Sequence, residues 1–326
     1  MINLFYGVIL FFIFLLLLKN IKDYYSSKIS SQCDIDNHKR CEFNKLKDHL
    51  LEHSKLSKCK KPILWIYIDF EKNARKWIDF GTKNSTNLNM PYIYLCLKTI
   101  IDNCGDSFHI VIIDENSFDN LIPGWSIDLK KISDPLKEKY INLAKLQLLK
   151  NFGGIFVPPS FICKKDLYEL YYENCVYNDK MFSCEFINNC SNINKNLIPK
   201  LDFFGCKKNN SNIDGIIQDY EYILAKDYTE ESLFDESMSQ ILLNNDKILN
   251  IIDGKNIGIK DRKDKCILIE DLMSNKKLEL YDNHLGIYIP YKSLKIRNKY
   301  NWFLYLSPIE ILNSQTFIGR YLSQSI

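Results

Sequence analysis

Charge of either sign is not in excess in this 326-residue chain: 43 lysines and arginines face 40 acids, a formal net charge of +3. That balance gives no ground for a nucleic-acid partner. Glycine is scarce, at 12 residues, and no Gly-rich phosphate loop occurs. The 11 cysteines are odd in number and irregularly spaced. They do not read as a disulfide framework and fit a reducing compartment. Past residue 18, no further apolar run is long enough to span a bilayer.

The apolar run that is present covers residues 2–18, interrupted only by Asn3, Tyr6 and Gly7. As a helix it would extend roughly 26 Å at about 1.5 Å per residue, slightly short of a hydrocarbon core of about 30 Å. No basic residue precedes it and no small-residue cleavage site follows, so the expectation is an uncleaved single-pass anchor with the lipid bilayer as a partner. Lys19, Lys22 and Lys28 follow the run, and this bias favours a cytosolic soluble region. Sequons at Asn84, Asn189 and Asn209 point the other way, but chance accounts for them in so Asn-rich a chain. The expected organisation is a transmembrane anchor over 1–20, a tether and stalk helix over 21–60, and one α/β domain over 61–326. Cys33, His38, Cys41, His49 and His53 fall in the stalk at a spacing that matches no usual zinc finger.

Within 61–326, apolar runs ending in an acid alternate with helical patterns. Residues 63–69 and 109–114 each read as a buried parallel strand, closing on Asp69 and Asp114. Pro91 opens a helix to about residue 103. A second helix starts at Ser133-Asp134-Pro135 and runs to residue 152, where Gly153-Gly154 stops it. Residues 155–157 form a short strand, and the chain then turns at Pro158-Pro159-Ser160. Farther on, helices are expected over 166–172, 212–225 and 229–244, strands over 180–186, 201–206 and 286–290, and a helical, aromatic tail over 297–321. Trp302, Phe303, Tyr305 and Tyr321 in that tail fit either a packed core or a stacking surface for a sugar or base. This alternation predicts an α/β fold with a mixed, mainly parallel sheet flanked by helices. Ligands in such sheets bind beyond the carboxyl ends of the strands, which places Asp69, Asp114 and Ser160 on one rim.

The order of elements over about 60–165 resembles the capsular-polysaccharide-synthesis branch of glycosyltransferases with a DXD sugar-binding region. The resemblance is carried by the strand at 61–67, by Pro91 with residues 96–100, by residues 109–116, and by the helix running into Gly153-Gly154-Ile155-Phe156-Val157. It implies a GT-A-like (Rossmann-like) fold with a nucleotide-sugar half at 61–165 and an acceptor-side half at 166–326. It also implies a nucleotide-sugar donor, a glycan or other hydroxyl acceptor, and Mn²⁺ or Mg²⁺ in active members. The working positions depart from the family pattern. Where relatives carry Asp and Arg on the helix before Gly-Gly, this chain has Asn142 and Lys145; where they carry the acidic motif, it has Pro158-Pro159-Ser160. The acids that would hold the metal are therefore absent. The candidate nucleotide-sugar contacts are Trp65, Tyr67, Asp69, Asn142, Lys145, Gly153, Gly154 and Ser160. Asp114 and Glu236 are the candidate catalytic carboxylates. Lys164, Lys165 and Arg297 are, with Lys145, the candidate cations for a leaving diphosphate. The alternative expectation is an inactive glycosyltransferase-fold protein that serves as a membrane-associated binding or scaffold module.

Overall fold

The computed structural model describes residues 60–68, 91–188, 197–226 and 231–326, all within Cys59–Ile326, the second of two compact units of the chain. No helix among the described residues is long and apolar enough to cross a membrane. The apolar run at 2–18, the stalk with its Cys/His set, and Asp69 lie outside the described residues.

The chain opens with β1 (Ile63–Tyr67), α1 (Pro91–Cys104) and β2 (His109–Ile113). The short α2 (Ser117–Leu121) precedes α3 (Leu136–Phe152), β3 (Gly154–Phe156) and β4 (Phe161–Cys163). Then come α4 (Tyr168–Tyr171), which continues as a π-helical turn, β5 (Met181–Ile187), β6 (Leu197–Cys206), α5 (Ile213–Leu224) and α6 (Glu231–Asn244). β7 (Leu249–Ile252), α7 (Ile269–Leu272), β8 (Gly286–Tyr288), α8 (Tyr291–Ile296), α9 (Pro308–Leu312) and α10 (Phe317–Ser325) complete the chain.

The six-stranded sheet has the order β2-β1-β3-β6-β5-β7. β1 pairs in parallel with β2 and β3, and β5 in parallel with β7; β6 runs antiparallel between β3 and β5. The result is a mixed α/β fold with a mainly parallel sheet flanked by helices. β4 and β8 form a separate antiparallel pair. β1 is buried nearly throughout, as its unbroken apolar run requires, and each such side chain contributes roughly 1.5–3 kcal/mol on burial. β2 departs from expectation. It is the edge of the described sheet, with His109 and Ile112 exposed, because an apolar run has the same composition whether one face or both are covered.

α1 begins at Pro91 and buries Tyr92, Leu95, Cys96, Thr99 and Ile100 at helical spacing. α3 starts one residue past Pro135 and ends at Gly153, whose φ of 70° is open to glycine. Gly154 follows at φ 105°, and a Cβ there would lie 2.1 Å from the Ile63 carbonyl oxygen. The two glycines therefore let α3 turn directly into β3 against β1.

Candidate functional site

α3 carries a polar stripe on one face. Glu138, Asn142 and Lys145 stand at i, i+4 and i+7 and so share one side of the helix. Lys145 is the most deeply set, with only 11% of its side chain exposed, and its ammonium lies 3.4 Å from a carboxylate oxygen of Asp202 on β6. The same ammonium stands 6.0 Å from the ring centre of Tyr67, at the end of β1. Tyr67 is held in turn by a parallel stack on Phe118, with ring centres 5.8 Å apart.

Asp202 owes its position to an irregularity in β6. Ser183 of β5 faces Phe204, but the next residue, Cys184, faces Lys200. Leu201, Asp202 and Phe203 thus have no opposite number on β5, and β6 bulges between them. Such bulges re-aim side chains at sheet rims. On its other side β6 pairs with β3 through Phe156↔Phe204. That pairing ends at Phe156↔Phe204, two residues short of Asp202. The acid of this region is therefore supplied by β6, the strand next to β3, and it meets the Lys145 ammonium.

Further charges gather around this pair. Lys200 lies 3.7 Å from Asp235 on α6, and Lys292 of α8 lies 2.5 Å from Glu138. Burial among these elements would raise the Asp202 carboxyl, but Lys145, Lys200 and Lys292 outweigh it and hold the group below the usual carboxylate range. The Asp202 side chain is nonetheless 45% exposed, so an ionised carboxylate reaches solvent between three lysines. Tyr288 on β8 is pushed up by burial and then by the charges of Asp202 and Glu138, and stays a neutral phenol. The Tyr220 hydroxyl on α5 donates to the Lys139 carbonyl at 2.8 Å, and burial first of all pushes its pKa up, against the opposing effect of Asn142. Lysines 145, 200 and 292 are balanced by Asp202, Asp235 and Glu138. The cluster is consequently neutral overall but dense in hydrogen-bonding groups.

The sequence-predicted residues divide cleanly. Lys145 meets Asp202 and Tyr67, and Asn142 shares its face of α3. Trp65 is fully buried, donating its indole N–H to the Gly153 carbonyl at 2.9 Å and stacking on Phe156. Gly153 and Gly154 are occupied by backbone packing. The Ser160 hydroxyl is buried and donates to the Ile289 carbonyl at 2.8 Å, pinning the turn to the residue after β8. Asp114 caps the turn after β2: its carboxylate accepts from the backbone N–H groups of Asn116 and Ser117 and from the Ser117 hydroxyl. Burial raises its pKa, and these hydrogen bonds more than reverse that, leaving it below the usual range. Glu236 is exposed on α6, whereas its neighbour Asp235 faces the cluster. Of the other candidate cations, Lys165 reaches Asn283 and Arg297 pairs with Glu270, so neither joins Lys145. In the tail, Phe303 and Tyr321 are core residues, while Trp302 and Tyr305 are exposed.

A divalent metal does not fit these residues. Among the described residues no three His, Cys, Asp or Glu side chains group as a metal site. Pro158 has no side-chain ligand atom, the Ser160 hydroxyl is engaged, and the Asp202 carboxylate already faces the Lys145 ammonium. A separate hollow of about 410 Å³ lies beyond β2, lined by Glu115, Asp119, Asp128 and Lys130 among others. Two of its carboxylates are already ion-paired, Glu115 with Lys137 and Asp128 with Lys131.

No family model matches this chain, and no curated protein matches it. Among solved structures it is similar to one titled PaToxG Glycosyltransferase, at 16% identity and a TM-score of 0.29, over 63% of this chain and 78% of that one. A likeness at that score transfers no residue role.

Proposed function

We propose that this is a membrane-anchored, glycosyltransferase-like protein of the capsular-polysaccharide-synthesis type, with a GT-A-like fold and a nucleotide-sugar site at the Lys145–Asp202 pair. One observation carries the reading: β6 bulges to present an ionised, solvent-reaching carboxylate to Lys145, whose ammonium also lies over Tyr67 at the carboxyl end of β1. The sheet order, with β6 reversed between parallel strands, is consistent with a GT-A-like fold. The apolar run at 2–18 supports anchoring.

In this reading Lys145 and Asp202 divide a donor sugar between them. The ammonium takes phosphate oxygens as a point charge, and the carboxylate accepts from sugar hydroxyls. Tyr67, Tyr220 and Tyr288 border the site as apolar faces with polar tips. A carboxylate held below its usual pKa is a weak general base. It is better suited to orienting hydroxyls and to stabilising positive charge that develops on the sugar during transfer. The carboxylate role thus falls to Asp202 rather than to Asp114 or Glu236, and no step is routed through a metal.

The second reading is a binding or scaffold module without turnover. Its support is the closed charge balance of the cluster, in which each lysine already has a carboxylate. Calorimetric titration with UDP- and GDP-sugars, in Mn²⁺ and in EDTA, tests the site. Binding of equal strength in both media, weakened at least tenfold by Asp202→Asn and by Lys145→Met, is expected. Binding that needs Mn²⁺, or that ignores both substitutions, would remove the proposal. Turnover of a bound donor, measured by release of the nucleoside diphosphate, separates the enzyme from the scaffold.

A further inference from the structure

The described cysteines are all free and nearly all buried, yet one pair stands apart. The Sγ atoms of Cys104 and Cys163 lie 3.7 Å from each other with both side chains fully buried. Cys104 is the last residue of α1, and Cys163 is the last residue of β4, the strand that follows the Pro158-Pro159-Ser160 turn. Their backbones are already docked. The Thr99 hydroxyl accepts the Cys163 N–H at 2.9 Å, and the Asn103 amide reaches the Cys163 carbonyl at 3.3 Å. The Cys163 thiol lies 3.1 Å from the Lys165 carbonyl and 3.7 Å from the Cys104 sulfur, and either sulfur can donate across the pair. The two sulfurs therefore face each other, and a closure of about 1.7 Å would bring them to bonding distance near 2.0 Å.

We propose that Cys104 and Cys163 form an intramolecular disulfide by thiol–disulfide exchange with a low-molecular-weight disulfide. The Cys104 thiolate attacks one sulfur of the oxidant, breaking its S–S bond and releasing one thiolate. Cys163, after losing its proton, attacks the Cys104 Sγ of the mixed disulfide, forming the Cys104–Cys163 bond and expelling the second thiolate. The two protons lost by the cysteines end on the two released thiols, so the protein pair is oxidised by two electrons and the oxidant is reduced by two. Access comes from the helix end. Cys104 is followed by Gly105 in a turn bounded by an exposed Asp106, and opening of that last turn exposes its sulfur. Cys163 is held as a neutral thiol, by its hydrogen bond with Cys104 first and by burial second, so it acts as the resolving partner. Closing a loop across 59 positions restricts the unfolded chain and ties α1 to the strand beyond the candidate site.

The test uses the full chain in detergent, treated with oxidised glutathione with and without sub-denaturing urea, then alkylated and digested for mass spectrometry. A cross-linked Cys104–Cys163 peptide is expected. It should bring a Tm higher by roughly 5 °C or more, reversed by dithiothreitol. Cys104→Ser and Cys163→Ser should each abolish the peptide and the shift. The partly exposed Cys266 reports whether the oxidant is competent, because it takes up glutathione without a partner. Glutathione on Cys266 with both Cys104 and Cys163 still free in both media would overturn the proposal, as would a cross-link between other cysteines. The wild-type result stands even if a serine variant fails to fold.

Discussion

Substituting the two ends of the Lys145–Asp202 pair should have unequal consequences. At 3.4 Å and an effective dielectric of about 20, the gross attraction is about 5 kcal/mol. The net value is smaller, because Lys145 gives up water to be buried and Asp202 remains nearly half exposed. Asp202→Asn leaves a buried ammonium without its carboxylate, and loss of one partner of a fully buried pair costs about 3–5 kcal/mol. Scaled for the exposure of Asp202, the expected cost is about 1–2 kcal/mol. Lys145→Met keeps the volume and removes the buried charge, so its effect should lie within about 1 kcal/mol of zero. The double variant should recover most of what Asp202→Asn loses, a coupling of about 1 kcal/mol. Urea unfolding of the four proteins, followed by fluorescence, measures these differences. A Lys145→Met loss as large as that of Asp202→Asn, with no coupling, would refute the claim that the two side chains form one unit.

Gly154→Ala should destabilise by about 4 kcal/mol or more, because a Cβ at φ 105° meets the Ile63 carbonyl at 2.1 Å; failure to express folded protein or a collapse in Tm is the readout. Ser160→Ala should cost about 1 kcal/mol through the lost bond to Ile289, yet leave nucleotide-sugar affinity unchanged, which a parallel calorimetric titration checks. His284 supplies a pH dependence: burial first, and then Lys164 and Lys165, lower its pKa against the opposing pull of the Tyr281 carbonyl and Asp282, while its Nε2 lies 2.6 Å from the Tyr321 hydroxyl on α10. The unfolded chain binds the proton more readily, so stability should fall as pH drops below about 6.5, and His284→Gln should flatten that fall in Tm measured from pH 8 to 5.

The early part of the fold was legible because its signals are local. The apolar run of β1, Pro91 at the start of α1, and the helix ending in Gly153-Gly154 each announce an element through a handful of adjacent residues. β3 and β8, three residues each, were legible from their opening glycines Gly154 and Gly286, whereas β4 and β7, of three and four residues, have no glycine to open them. The candidate site was legible on one side only. Lys145 and Asn142 stood out from their place on the helix before Gly-Gly, but Asp202 did not. Its approach to Lys145 spans 57 positions of chain and depends on a bulge that no local residue pattern marks. Glu236 and Asp235 differ by one step on a helix, which rotates a side chain by about 100°, and only the packing of α6 decides which of them faces β6.

The most direct test of a site at Lys145 and Asp202 is a structure of the protein with a nucleoside-diphosphate sugar, prepared in EDTA. The sugar should lie within hydrogen-bonding reach of the Asp202 carboxylate, with a phosphate oxygen against the Lys145 ammonium. A ligand seated elsewhere, for example in the hollow lined by Glu115 and Asp128, with the Lys145–Asp202 pair undisturbed, would contradict the account.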